Sequence, residues 1–425
     1  MPDLSPDLST DFSKDELMAC HECDLLHRII PVPVRGKAVC TRCGALLYRN
    51  IPNSIEKGLA LHLTALMLLI MTHAFPFMSL KLSGRIEENH FLSGAMALYR
   101  LGMGEVGGLV FVTSVLFPFL TIMGMLYILV PIKLGYRSWN TGWVFRMVRA
   151  LMPWSLTAVF MLGVLIAIVK LMDLATIIPG ISLYSFVGLM VALTAAQANL
   201  DPRVIWPPAD TVFLKDNAGN TAAQQDLVSC HICSLLVPKT NDESCPPGNC
   251  IRCETPLHSR KNNSIARTWA LIFAAFLLFF PANLYPVMTV VQFGKGHANT
   301  ILSGVVQLVE EGMWVLALII FFASIVVPIL KLIVLAFLLI MIKKKSAWRS
   351  RDRTLLFRVT EIVGAWSMVD IYVVAILAGL VNFGFMSTVR PGIGVAFFGA
   401  VVVITIFAAH SFDPRLIWDN TKEVR

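Results

Sequence analysis

Cys20-His21-Glu22-Cys23 and Cys40-Thr41-Arg42-Cys43 are answered 210 positions later by Cys230-His231-Ile232-Cys233 and Cys250-Ile251-Arg252-Cys253. The match extends outward from the cysteines. Asn89, Leu92-Ser93-Gly94, Gly102-Met103 and Pro118 recur as Asn299, Leu302-Ser303-Gly304, Gly312-Met313 and Pro328. After a two-residue insertion, Arg146, Trp154-Ser155 and Pro179-Gly180 recur 212 positions on as Arg358, Trp366-Ser367 and Pro391-Gly392. Each half closes alike, on Asp201-Pro202-Arg203 with Ile205-Trp206 and on Asp413-Pro414-Arg415 with Ile417-Trp418. The chain is one module written twice, and each module is a cysteine ribbon followed by an apolar half.

Composition sets the class. Of 425 residues, 56% are hydrophobic and 15% charged, against about 25% charged in an ordinary soluble domain. The reading is an all-α polytopic membrane protein of two tandem four-helix modules, each preceded by a small cytoplasmic zinc ribbon. Eight spans fit a hydrocarbon layer of ~30 Å: about Gly58–Leu80, Gly107–Pro131, Pro153–Leu171 and Pro179–Leu200, then Thr268–Val290, Gly312–Ile342, Val359–Asn382 and Pro391–His410. The expected division is a disordered tail 1–17, ribbon 18–52, membrane module 53–206, linker 207–226, ribbon 227–262, membrane module 263–418 and tail 419–425. Met1 to Leu17 lacks the basic-then-apolar order of a signal peptide, so the first apolar segment is expected to stay in the mature chain.

The net charge of +8 is no argument for nucleic acid. Most cations flank spans, where they set topology. Lys133, Arg137, Arg146 and Arg149 follow the second span; Lys343, Lys344, Lys345, Arg349, Arg351, Arg353 and Arg358 follow the sixth. This bias places both ribbons and both termini in the cytoplasm, where thiols stay reduced. Two halves of four spans then share one orientation, a parallel repeat. The loops Lys81–Val106 and Thr289–Glu311 face the other side and are expected to pack on the membrane domain as half-helices.

Paired CxxC knuckles can place four thiolates tetrahedrally around Zn²⁺. Cys20, Cys23, Cys40 and Cys43 form one set; Cys230, Cys233, Cys250 and Cys253 form the other. A set of four cysteines leaves no open coordination position, which favours a structural site over a catalytic one. A rubredoxin-like iron site and a dithiol switch are the alternatives. His21 and His231 are read as neighbours of the metal rather than ligands. Cys245 has no counterpart in the first ribbon and is read as a spare thiol.

Polar residues inside spans are the second signal, because charge at mid-bilayer is costly, ~2.5–3.5 kcal/mol on insertion scales. Lys170 and Asp173, Ser324 and Lys331, and Ser367 and Asp370 each share a helix face. The repeat breaks here: Lys331 corresponds to Thr121, Asp370 to Ala158 and Lys170 to Asn382. The set reads either as a proton or ion relay lining a substrate path, or as a Lys331–Asp370 ion pair that fixes packing. Prolines interrupt the first span at Pro76 and the fifth at Pro281 and Pro286. No phosphate-binding loop, dinucleotide fingerprint or nucleophile–histidine pair is found, so the chain is not read as an enzyme.

The duplicated ribbon, the Leu-Ser-Gly loops, Pro281-Ala282-Asn283-Leu284-Tyr285-Pro286 and Trp366-Ser367-Met368-Val369-Asp370 together resemble the paraquat-inducible protein A family (PqiA and LetA-like proteins), from about Cys20 to Trp418. The resemblance implies a Gram-negative inner-membrane protein that loads or receives phospholipid for a periplasmic MCE-domain partner, a hydrophobic tunnel. It also implies modules like the tetraspan folds of claudins. Lys170, Asp173, Ser324, Lys331, Ser367 and Asp370 look like that family's intramembrane polar cluster. Ser93-Gly94 and Ser303-Gly304 are the loops expected to meet lipid or partner. A self-sufficient proton-coupled transporter of a small molecule is the alternative function, and a cytoplasmic metal or redox sensor a third.

Overall fold

The computed structural model describes residues 17–82, 85–136, 138–171, 176–206, 219–239, 248–292, 295–380 and 387–419. The tail 1–16, most of the linker, Cys245 and Asp173 therefore lie outside the described residues.

Eight helices are long and apolar enough to cross a membrane. They are span 1 (Ser54–Ala74), span 2 (Gly104–Lys133), span 3 (Thr141–Leu171) and span 4 (Ile181–Asn199), then span 5 (Ser264–Leu284), span 6 (Trp314–Lys343), span 7 (Ser350–Leu380) and span 8 (Ile393–Ser411). In each module the first and last spans pack along their length. Side chains tie their ends: Ser54 Oγ donates to the Asn199 carbonyl at 3.1 Å and Ser182 Oγ to the Thr72 carbonyl at 2.5 Å. Ser264 repeats the first contact on the Ser411 carbonyl at 2.8 Å.

Span 1 stops at Ala74, short of the expected Leu80. The reason is Pro76, which forces Phe75 into an extended conformation (φ −110°, ψ 159°). Span 5 stops at Leu284 before Pro286 in the same way, with Tyr285 extended. Pro281, by contrast, is accommodated inside span 5.

Each module adds a three-stranded antiparallel sheet on the face away from the ribbons. In module 1 the strand Met78–Leu82 pairs with Arg85–Asn89 and, on its other edge, with Thr176–Pro179 from the short connection between spans 3 and 4. Met288–Gln292, Lys295–Asn299 and Ser387–Pro391 repeat the arrangement. A short helix follows each hairpin, Ser93–Arg100 and Ile301–Glu310, so the expected half-helices exist but sit behind a sheet.

Four spans are interrupted at matching depths. Spans 2 and 6 each contain a π turn, Val112–Leu116 and Phe322–Val326. Pro118 and Pro328 explain them: neither has an N–H to give the carbonyl four residues back, that of Ser114 and Ser324. Spans 3 and 7 break in 3₁₀ turns, Met152–Trp154 and Ala365–Met368.

The modules meet in their sheet-side halves, where the outer half of span 3 packs on that of span 7. One apolar cluster runs through both modules there and holds Phe77, Phe91, Phe160, Phe186 and Tyr372. Toward the ribbons the core splits into separate clusters, one under each module. The helix Ser93–Arg100 of module 1 crosses span 7 at a glycine contact: a Cβ on Gly94 would stand 2.6 Å from the Ala375 carbonyl oxygen. Its counterpart Gly304 has nothing within 4 Å. Gly94→Val is therefore expected to cost ~1–3 kcal/mol of overpacking or more, read as a lower melting temperature in detergent, while Gly304→Val leaves it unchanged.

Candidate functional site

The four knuckles share one backbone design. The amide of the residue after each CxxC donates back to the first cysteine's carbonyl: Asp24 to Cys20, Gly44 to Cys40 and Ser234 to Cys230 at 2.9 Å, and Glu254 to Cys250 at 2.7 Å. The first cysteine's amide in turn bonds the carbonyl of residue 25, 45, 235 or 255. This reversal needs a left-handed residue, and Asp24 (φ 64°), Gly44 (φ 72°), Ser234 (φ 58°) and Glu254 (φ 56°) supply it. Those four positions are the sequence signal for knuckles that the cysteine spacing alone does not carry.

The eight cysteines are buried and their sulfurs gather in two sets of four, each within 4.8 Å of one another. Cys20 and Cys43 sulfurs lie 3.5 Å apart, Cys23 and Cys40 3.4 Å, Cys230 and Cys253 3.4 Å, and Cys233 and Cys250 3.5 Å. A tetrahedral metal with bonds of ~2.3 Å would hold its sulfurs about 3.8 Å apart, so each set fits one ion. His21 and His231 are exposed and stand outside both sets. Residues not expected from the spacing flank the sulfurs: His27 Nε2 is 3.3 Å from Cys40 Sγ, and Thr255 Oγ1 is 3.1 Å from Cys253 Sγ. The Cys40 contact holds His27 above the usual imidazole range, against the opposing effect of burial.

The ribbons are crossed. Cys20, Cys23, Cys40 and Cys43 pack into the cluster of module 2, with Phe357, Phe412, Ile417 and Trp418. Cys230, Cys233, Cys250 and Cys253 pack into that of module 1, with Phe145, Val148, Ile205 and Trp206. Polar contacts select this pairing. Arg358 of span 7 donates to both Glu22 oxygens, at 3.0 and 2.5 Å, and Arg415 to the His21 carbonyl at 3.3 Å. Arg146, the counterpart of Arg358, makes no ion pair among the described residues and donates to the Glu254 carbonyl at 2.9 Å. The position equivalent to Glu22 is Ile232, so an uncrossed chain would face Arg358 with an isoleucine. Arg260 adds a second lock, on Asp24 at 3.2 Å and Asp419 at 2.6 Å. The first ribbon also bonds the end of the linker, Leu26 N to the Asn220 carbonyl at 2.8 Å and Ala222 N to that of Asp24 at 2.9 Å, and its Ala19 and Leu26 share an apolar cluster with Leu227 and Leu236 of the second ribbon.

The intramembrane residues separate into two stations. Lys331 is buried and its Nζ donates to Thr405 Oγ1 at 3.3 Å. It lies against Gly364, where a Cβ would stand 2.6 Å from Nζ. Gly364 ends the inner helix of span 7, and Glu361, one turn earlier, is the acid in the field of Lys331. Asp370 sits in the first turn of the outer helix of span 7, facing Ser324 and, across the module boundary, Lys170. No ion pair joins Lys331 to Asp370 among the described residues, so the packing pair considered from sequence is not formed. The break in span 7 accounts for the separation. It turns a helix C-terminus toward the cation and a helix N-terminus toward the carboxylate, and each charge meets the favourable end of a dipole.

The same region collects buried polar atoms without hydrogen bonds, Ser324 Oγ, Ser367 Oγ and Asp370 Oδ2, and Thr121 Oγ1 is a further one in module 1 at the position of Lys331. Native interiors hold few such atoms. Tyr372 closes the outer side by donating to Thr113 Oγ1 of module 1 at 2.8 Å. Module 1 has Thr121 for Lys331, Met152 for Gly364, Arg149 for Glu361 and Ala158 for Asp370. Lys331, Asp370 and the glycine that makes room for the lysine are lost together, and the sign at the Glu361 position is reversed. Of the outer residues, Ser93 accepts from the His90 amide at 3.0 Å and Gly94 lies in the module boundary. Ser303 forms a reciprocal cap with Thr300, and Leu302, Val306 and Val309 of the same helix are exposed.

Fold and site together define a multi-pass membrane protein of two homologous modules, cross-linked by ribbons able to hold a metal ion each, with Lys331, Glu361 and Asp370 in module 2 alone. The chain belongs to the paraquat-inducible protein A family, whose model matches residues 55–210 and 265–422. It is 32% identical over 407 residues to the Intermembrane transport protein PqiA of Escherichia coli strain K12, covering 95% of this chain and 96% of that protein. It is 29% identical over 416 residues to the Lipophilic envelope-spanning tunnel protein A of the same strain, 97% and 93% of the two chains. A Probable intermembrane transport protein of Haemophilus influenzae is 26% identical over 414 residues, 95% and 96% of the two chains. No solved structure matches.

Proposed function

We propose that this chain is the inner-membrane subunit of an intermembrane lipid transport system. It loads or receives phospholipid for a periplasmic MCE-domain partner, with both ribbons and both termini in the cytoplasm. The names of its relatives as intermembrane transport and envelope-spanning tunnel proteins support the class. The observation that carries the mechanism is the charged seam of module 2, with its unpaired polar atoms at the boundary between modules. Buried charge held apart from its obvious counter-charge is costly to keep and marks a path for protons or polar groups.

Zinc in the two sets of four cysteines would supply folding energy, ~10–16 kcal/mol in small ribbons, and no catalysis, because four thiolates close the coordination sphere. This chain's own residues do the rest. Asp370 and Lys170 act on each other electrostatically across the module boundary and sense protonation. Lys331, over the end of the inner helix with Glu361 beside it, connects the seam to the cytoplasmic side. The Tyr372–Thr113 bond keeps the outer side shut. The open helix Ile301–Glu310, with Ser303 and Gly304, presents its apolar face to lipid or partner.

Asp370→Asn keeps the shape and removes the charge. Reconstituted with its partner, the variant is expected to move lipid at least about tenfold more slowly, roughly 1.4 kcal/mol on the barrier, with an unchanged melting temperature. Full activity would remove the seam from the mechanism.

A further inference from the structure

A second polar feature lies outside the seam. On the ribbon side, where span 5 begins and span 8 ends, a cavity of about 330 Å³ is lined by His258, Lys261, Asn262, Arg267, His410 and Ser411. Its volume falls in the range of small-ligand sites, about 300–1,000 Å³. Every lining residue is polar and four can be cationic. Lys261 is partly committed: its Nζ bonds the carbonyls of His410 at 2.5 Å and Phe412 at 3.0 Å, and its amide bonds Asp413 at 3.0 Å. No hydrogen bond or ion pair joins the side chain of His258 or Arg267 to another described residue. The acids facing the cavity through Lys261 are Asp413 and Glu361, and Arg415 adds a further cation. Asp413 is itself occupied, since it accepts from the amides of Lys261 and Arg415.

The duplication supplies a control. The equivalent positions in module 1 are Tyr48, Ile51, Pro52, Lys57, Ala198 and Asn199. One cation, Lys57, stands where module 2 has Lys261 and Arg267 with two histidines beside them. A need to set topology alone would act on both modules alike, so the extra cations answer to something module 2 alone contains.

We propose that this cavity binds a phosphate-bearing anion at the membrane boundary: the headgroup of an anionic phospholipid, or a free phosphate. Arg267 and His258 donate to its oxygens, with Lys261 completing the positive surround. Arg267 lies in the first turn of span 5, so the cavity opens at the ribbon-side end of the apolar spans. The inference rests on the transport reading for the cytoplasmic placement of the cavity.

The full chain is placed in nanodiscs of phosphatidylethanolamine with and without phosphatidylglycerol, and the retained lipid is read by native mass spectrometry. A parallel arm measures the melting temperature in lipid-free detergent with added inorganic phosphate. Selective retention of phosphatidylglycerol, weakened about fivefold in Arg267→Gln and further when His258→Gln is added, assigns the site to a headgroup. A phosphate-dependent rise in melting temperature, lost in the same variants, assigns it to free phosphate. Lys57→Gln, the module 1 counterpart, changes neither. No selectivity and no phosphate effect in the wild type, or either effect surviving the double variant, overturns the proposal. Lipid transfer by Asp370→Asn is read separately, so the site and the transport reading can fail independently.

Discussion

Replacing Cys23 by Ser is expected to strip the metal from the first ribbon and unfold the ribbon-side end of the second membrane module, not the first. The ribbons are too small to bury enough surface without metal. Losing a thiolate forfeits much of the ~10–16 kcal/mol that such a site contributes. The unusual part is where the loss appears. Ribbon 1 covers Phe357, Phe412 and Trp418, with Arg42 lying over the Trp418 ring at 4.5 Å. Amide exchange should therefore accelerate around Phe357 and Trp418 and stay slow around Phe145 and Trp206. Cys233→Ser should do the reverse. Metal content should fall by half in each variant. Exchange rising beneath the ribbon's own module would contradict the crossed arrangement.

Replacing Lys331 by Met is expected to abolish transport while leaving the protein as stable as before, or more so. Lys331 is 2% exposed and makes a single hydrogen bond, to Thr405. Exchanging a buried ion for a hydrophobe of similar volume is often neutral or stabilising by ~1–4 kcal/mol. A residue kept only for packing would not be kept charged on those terms. Lipid transfer and melting temperature measured on one preparation separate the cases. Lost transfer at an equal or higher melting temperature supports a working charge. Retained transfer makes Lys331 a packing residue, and a large fall in melting temperature makes it a structural ion.

Much of this was legible in the residues. The 210-residue offset announced two modules, the CxxC pairs announced two clusters able to hold a metal ion, and apolar runs announced eight spans. What the sequence concealed has physical causes. Crossing is invisible to a repeat, because both ribbons carry the same cysteines and both modules offer the same apolar underside. Only single differences such as Glu22 against Ile232, opposite two conserved-in-place arginines, encode the choice. The sheets were missed because Met78–Leu82 gains its second edge from Thr176–Pro179, almost a hundred residues away. The separation of Lys331 from Asp370 depends on the 3₁₀ break at Ala365–Met368, which a regular helix period does not foresee. Glu361 escaped notice beside Lys331 for the same reason. Its counterpart in the other module is an arginine, and that sign reversal was the available clue.

The central claim is that this chain works with a periplasmic partner to move lipid. The most direct test is a mild-detergent pull-down from native membranes, with mass spectrometry of the proteins and lipids recovered together. The account predicts an MCE-domain protein and bound phospholipid in the same complex. Recovery of the chain alone after crosslinking, with solute uptake by the purified protein in liposomes, would contradict it and establish a self-sufficient transporter.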